Sequence, residues 1–133
     1  MKIKSFNPLI LTSDTESTIK LFEDLGFEKC HTRDDYEERE DIVGVHMKDA
    51  NSFCVDVVKS DRAPKDMVMN GMNVDDFDEA RNMLEKHGLN SPSEAVEDAS
   101  SKSIGMYSPS GLSIGLVEYK RLILTCFYGV LGL

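Results

Sequence analysis

Two segments of this chain repeat one another, and that repeat limits the possible folds more than any other feature. DTESTIKLFEDLGF begins at Asp14 and DFDEARNMLEKHGL at Asp76; in each, the aspartate is followed twelve residues later by a glycine, Gly26 or Gly88, and then by Phe27 or Leu89. The pattern predicts a capped helix in both places. Aspartate at the N-cap accepts from exposed backbone N–H groups, apolar residues recur at helical spacing (Ile19, Phe22 and Leu25; Ala80, Met83 and Leu84), and glycine closes the helix in the left-handed conformation. Two such units with one spacing argue for an internal duplication.

Around the helices lie strand-like runs. Ile3 to Thr12 and Met67 to Val74 precede them; Phe27 to Arg33, Asp41 to Met47 and Ser52 to Val58 follow the first, and Glu94 to Asp98, Ser103 to Tyr107 and Leu112 to Glu118 follow the second. The order is strand, helix, three strands, twice over. Turn residues separate the strands at Asp34-Asp35, Asp49-Ala50-Asn51 and Ser108-Pro109-Ser110-Gly111, and Lys59 to Asp66, with Pro64, is the expected link. The charged run Asp34 to Asp41 lacks the alternating carboxylates and mid-loop glycine of a calcium loop, and is expected to be a solvated hairpin end.

A chain of 133 residues is enough for one domain with its own core. The net charge of −9 is spread along the sequence, which argues against nucleic acid as a partner because phosphates would be repelled. Cys30, Cys54 and Cys126 are odd in number and lack CxxC spacing; with no signal peptide in view, the expected location is a reducing cytoplasm. The apolar stretch Leu122 to Leu133 is twelve residues long, short of the roughly 20 that span a membrane. No membrane partner is expected, and the tail reads as an apolar patch that needs a cover.

With LTSD and DLGF in the first half, NVDD and KHGL in the second, and YSPSG followed by LSIGLVEY near the end, the chain resembles the vicinal-oxygen-chelate proteins, the superfamily of glyoxalase, bleomycin resistance protein and extradiol dioxygenase. The resemblance covers Lys2 to about Lys120 and implies an α+β fold of two tandem βαβββ modules forming a cup-shaped mixed sheet with helices on the outside. The implied division is 1–121 for the domain, with modules of about 1–60 and 66–120, and 122–133 for the apolar tail. Family members commonly dimerise, so a homodimer is expected.

The resemblance also implies four metal-ligand positions, and here they carry Asn7, Asp56, Met69 and Gly115. Only Asp56 is an ordinary hard-metal ligand, whereas a catalytic zinc or iron site needs about three His, Cys or carboxylate donors. No metal and no other cofactor is therefore expected. If Asp49-Ala50-Asn51 is the turn, Val43, Val45 and Met47 face Val57, Val55 and Phe53, and Gly44, His46 and Lys48 face Asp56, Cys54 and Ser52. His46, Cys54 and Asp56 then share a patch beside Asn7, readable as an activated thiol, a substitute metal site, or a buried cysteine beside a hydrogen-bonded histidine. His87, in the last turn of a helix, suits the dipole there, and His31 carries no further signal.

Met67 and Met69 are better placed to face a ligand than Met72, and Tyr107, Phe53 and Tyr36 are aromatics on which a flat ligand could stack. The candidate ligand-binding residues are Asn7, His46, Asp56, Met69 and Tyr107; none is assigned a catalytic role. The expected function is binding of a small-molecule ligand, cationic or aromatic, without a metal. The alternatives are a metal-dependent lyase, isomerase or dioxygenase with a rebuilt site, and an interaction module built around the tail.

Overall fold

The computed structural model describes residues 1–32, 44–61 and 65–120, with the backbone alone for His31 and Thr32. The charged run 34–41, Tyr36, Val43, Pro64, Cys126 and the apolar tail lie outside the described residues. The elements run β1 (Ile3–Thr12), α1 (Thr15–Asp24), β2 (Glu28–Thr32), β3 (Gly44–Lys48), β4 (Cys54–Lys59), β5 (Met67–Val74), α2 (Phe77–Lys86), β6 (Val96–Glu97), β7 (Ser101–Tyr107) and β8 (Ser113–Tyr119). This is the α+β order of two βαβββ modules.

The chain divides into two compact units. One is Asn7–Val68; the other joins Met1–Phe6 to the described residues from Met69. The first six residues are tied to the second unit by a reciprocal pair at Asp75: Lys2 N donates to Asp75 Oδ1 at 2.6 Å, and Asp75 N donates to the Lys2 carbonyl at 3.1 Å. That backbone N–H holds the exposed Asp75 carboxyl below its ordinary pKa.

In the unit Asn7–Val68 the strand order is β2-β3-β4-β1, with β2–β3 and β3–β4 antiparallel and β1 parallel to β4. The other unit repeats the plan as β6-β7-β8-β5, again antiparallel except for the parallel pair of β5 with β8. Parallel neighbours need a crossover, and α1 and α2 provide it. Each helix covers one face of its own sheet. Val45, Met47, Val55 and Val57 form the first core with Ile10, Ile19, Phe22 and Phe27; Met72, Val74, Phe77, Ala80, Leu89, Ile104, Met106, Ile114 and Leu116 form the second.

The two helices end alike because their sequences do. Asp14 accepts from Ser17 N at 3.1 Å and Asp76 from Glu79 N at 3.0 Å. Gly26 and Gly88 sit at φ +105° and +88°, and each helix closes in a Schellman pair: Phe27 N to Phe22 O with Gly26 N to Glu23 O, and Leu89 N to Leu84 O with Gly88 N to Glu85 O. Phe22 and Phe27 meet edge to face at 5.3 Å. Two apolar positions depart from the helical pattern: Leu25 and Met83 are exposed, because Leu25 sits at the C-cap and Met83 lies off the stripe defined by Phe77, Ala80 and Leu84.

The β3–β4 hairpin corrects the expected register by two residues. The loop is Ala50-Asn51-Ser52, closed by Asp49 N to Phe53 O at 3.0 Å and Ser52 N to Asp49 O at 3.1 Å, with Ser52 at φ +69°. A turn followed by one left-handed residue is the usual three-residue hairpin loop. Asp49 stabilises it by accepting from Asn51 N and Phe53 N, each at 2.9 Å. Val45 therefore faces Val57, Met47 faces Val55, and His46 faces Asp56. The shift is an even number of residues, so every side chain keeps its predicted face.

Leu116 is fully buried, and Leu116→Ala should lower stability by about 2–5 kcal/mol. Asp76→Ala, which removes only the cap, should cost about 1 kcal/mol. Urea unfolding midpoints at constant slope measure both.

Candidate functional site

Strand alternation leaves each sheet a second face, opposite its core. In the unit Asn7–Val68 that face carries Asn7, Leu9, His46, Cys54 and Asp56, by parity with Ile10, Val45, Val55 and Val57 on the core side. Asp56 is the centre of a hydrogen-bonded chain. Its Oδ2 accepts from Asn7 Nδ2 at 2.7 Å, and its Oδ1 lies 2.6 Å from His46 Nδ1. An ionised carboxylate can only accept, so Nδ1 is the donor in this pair. Asn7 Nδ2 also donates to the Pro8 carbonyl at 3.0 Å. Asn7, His46 and Asp56, three of the five expected ligand-binding residues, are thus brought together.

Cys54 is on the same face but opposite Lys48, not His46, because the loop begins at Ala50 rather than Asp49. Its Sγ donates to the Ser52 carbonyl at 3.6 Å. Burial raises the thiol pKa, and the nearby Asp56 and Asp49 carboxylates add to the rise while Lys48 opposes it. A raised thiol with no imidazole partner is the opposite of an activated nucleophile.

In the other unit the non-core face carries Met69, Gly71, Asn73, Gly105, Tyr107 and Gly115, by parity with Met72, Val74, Ile104, Met106, Ile114 and Leu116. Met69 and Tyr107, the remaining two expected residues, come together here. A β-carbon built on Gly105 would lie 2.9 Å from the Tyr107 hydroxyl and 3.3 Å from Met69 Cε, so both side chains lean over that glycine.

The two units hold equivalent positions in one register. Leu9 pairs with Asp56 and Asp56 with His46; Gly71 pairs with Gly115 and Gly115 with Gly105. Where one unit carries Leu, Asp and His, the other carries three glycines. Asn73, equivalent to Leu11, is 3 % exposed, and neither its Nδ2 nor its Oδ1 has a hydrogen-bond partner. Sequence reasoning passed over Asn73 and the glycine row. Their signal was an asparagine spaced by two from Gly71 inside an apolar strand.

Glu118, near the end of β8, accepts from Phe77 N at 2.6 Å and so caps α2 from another strand. Beside it, Lys120 pairs with Glu97 at 2.6 Å and Lys102 with Asp78 at 3.4 Å, with Lys102 Nζ 4.8 Å from the Phe77 ring centroid. These residues line an acidic groove of about 330 Å³ in which five carboxylates, Asp75, Asp76, Asp78, Glu97 and Glu118, outnumber Lys102 and Lys120. Its role is to hold the start of α2. His87 is the C-cap residue of α2, where the sequence placed it.

Among the described residues the donors at the four positions that the resemblance implies do not suit a bound metal: Met69 offers a thioether, Gly115 no side chain and Asn7 only an amide oxygen, which leaves Asp56 as the one carboxylate. Among the described residues no group of three or more His, Cys, Asp or Glu could hold an ion.

Asp56→Ala should leave Asn7 Nδ2 and His46 Nδ1 without their acceptor and cost about 1–3 kcal/mol in urea unfolding. Combined with Asn7→Ala, the loss should be smaller than the sum of the single losses. At pH 7.5 the raised pKa leaves less Cys54 thiolate than in the unfolded chain. Alkylation of that peptide, followed by mass spectrometry, should therefore be slower in the native protein, and the thiolate deficit should vanish once pH exceeds both pKa values.

No protein-family model and no curated protein sequence matches the chain. Solved structures do. Methylmalonyl-CoA epimerase from Mycobacterium tuberculosis superimposes with a TM-score of 0.64 at 17 % identity, over 90 % of this chain and 90 % of that one. A variant of the Streptomyces coelicolor methylmalonyl-CoA epimerase in complex with 2-nitronate-propionyl-CoA gives 0.63 at 13 %, over 90 % and 97 %. A glyoxalase/bleomycin resistance protein/dioxygenase superfamily member from Vibrio splendidus gives 0.56 at 17 %, over 88 % and 99 %. Enzymes are among these neighbours, but at such identities the likeness speaks for architecture alone: this chain has the vicinal-oxygen-chelate fold.

Proposed function

We propose that this protein binds a small organic molecule without a protein-held metal, and that Asn7, His46, Asp56, Met69 and Tyr107 face the ligand. One observation carries this reading. Of the four positions the resemblance implies, Met69 and Gly115 offer no hard donor, and Asp56, the only ordinary hard-metal ligand, is hydrogen-bonded to Asn7 and His46. Its role is then to fix an imidazole and an amide as hydrogen-bonding groups on a sheet face. Binding requires shape and complementary polarity but no reactive group, and the net charge of −9 favours a cationic or neutral aromatic compound over an anion.

Metal content after purification without chelator, followed by titration with zinc, nickel and iron(II), separates this reading from a metal-dependent lyase, isomerase or dioxygenase. We expect no stoichiometric uptake. Tight one-to-one uptake that disappears in Asp56→Ala would sink the proposal.

A second reading, proton transfer on the bound molecule, is favoured by the 2.6 Å His46–Asp56 pair, which has the geometry of a base and its orienting carboxylate. Epimerases among the structural neighbours make it worth testing. Wild-type protein, but not His46→Gln, would then exchange an acidic C–H of a bound carbonyl compound with deuterated water. We also propose a homodimer in the cytoplasm. Exposed apolar side chains such as Phe6 and Val68 support self-association, and a sedimentation mass of one chain would exclude it. Among the described residues no helix is long and apolar enough to cross a membrane.

A further inference from the structure

Three observations in the unit built on β5, β8 and β7 converge. The first is a floor without side chains: Gly71, Gly115 and Gly105 lie side by side across three adjacent strands on the non-core face. The second is an edge to that floor, since the Tyr107 hydroxyl and Met69 Cε both lean over Gly105. The third is Asn73, two residues along β5 from Gly71 and so on the same face, roughly 7 Å away at the usual rise of a strand. Its amide is 3 % exposed and lacks a partner at both the donor and the acceptor.

A buried amide without partners is expensive, and native structures keep few of them. Nothing in the core requires this one, because Met72 and Val74 on either side point into the cluster and Asn73 points away. An amide offers one N–H donor and one carbonyl acceptor side by side, in a plane. Its complement is another planar edge with a carbonyl next to an N–H. A row of glycines lets such a plane approach the backbone closely, which any β-carbon would prevent.

We propose that this face binds a planar heteroaromatic lactam, its ring lying on the Gly71 and Gly115 backbone, edged by Tyr107 and Met69 where they cover Gly105, and its C(=O)–NH edge paired with the Asn73 amide. The inference rests on the small-molecule-binding reading above and names the class of ligand. The ring must displace whatever covers Asn73, and the two hydrogen bonds gained offset that displacement.

The probe is 2-quinolone, titrated into the full chain and followed by amide NMR, beside N-methyl-2-quinolone, which lacks the donor, and naphthalene, which lacks the edge. We expect 2-quinolone to shift the Asn73 side-chain amide and the backbone signals of Gly71, Gly105 and Gly115. Both controls should bind about tenfold more weakly or not at all. Asn73→Leu should reduce 2-quinolone binding by a similar factor while raising the melting temperature of the free protein, because it removes an unsatisfied polar group. The ligand comparison in wild-type protein stands even if that variant misfolds.

Equal binding of the N-methyl compound overturns the proposal, as does unchanged binding in a folded Asn73→Leu. So does an Asn73 amide in contact with long-lived water and indifferent to 2-quinolone. Compounds that shift only Asn7, His46 and Asp56 overturn this inference and leave the general binding reading standing. An aromatic library with no binder at all overturns both.

Discussion

Each unit depends on one parallel strand pair, β1 with β4 and β5 with β8, inside an otherwise antiparallel sheet. Parallel neighbours cannot be joined by a tight turn, so the chain must leave the sheet and return across one face. A ten-residue amphipathic helix makes that crossing and buries its apolar stripe on the strands below it. The face it covers becomes the core. On the opposite face, among the described residues, polar side chains and glycines stand beside Leu9 and Met69.

The helices were legible in the sequence almost to the residue, because their signals are local. An aspartate and a glycine twelve residues apart specify a cap and a Schellman stop through bonds that span five residues or fewer. Strand existence and strand faces were legible too, since alternation survives errors at the ends. The pairing register was not. Asp49-Ala50-Asn51 gives no sign that Ser52 will adopt a positive φ and that the three-residue loop will sit one position later, yet that shift decides whether His46 meets Asp56 or Cys54. An imidazole–thiol pair was thereby exchanged for an imidazole–carboxylate pair, and the chemistry of the face changed with it.

Asn73 and the glycine row were harder still to see, for a different reason. Gly71, Gly105 and Gly115 are up to 44 residues apart and become neighbours only through the order β5-β8-β7. Nothing local distinguishes them from glycines that relax a strand. Asn7, by contrast, stood out because the resemblance to vicinal-oxygen-chelate proteins assigned a role to its position, and it does meet Asp56.

The two faces follow one plan, with matching registers at Leu9, Asp56 and His46 and at Gly71, Gly115 and Gly105, but carry different side chains. In the first unit the polar groups satisfy one another: the carboxylate has two donors, and the imidazole has an acceptor for Nδ1. In the second unit the equivalent positions are glycines, and neither polar atom of the nearby Asn73 side chain has a hydrogen-bond partner. Gly71, Gly115 and Gly105 stand at adjoining positions, Tyr107 and Met69 lean over Gly105, and the unsatisfied Asn73 amide lies on the same face. A fold that tolerates both defects on one face, while packing Met106 and Leu116 to zero exposure on the other, concentrates its imperfections where a ligand could repair them.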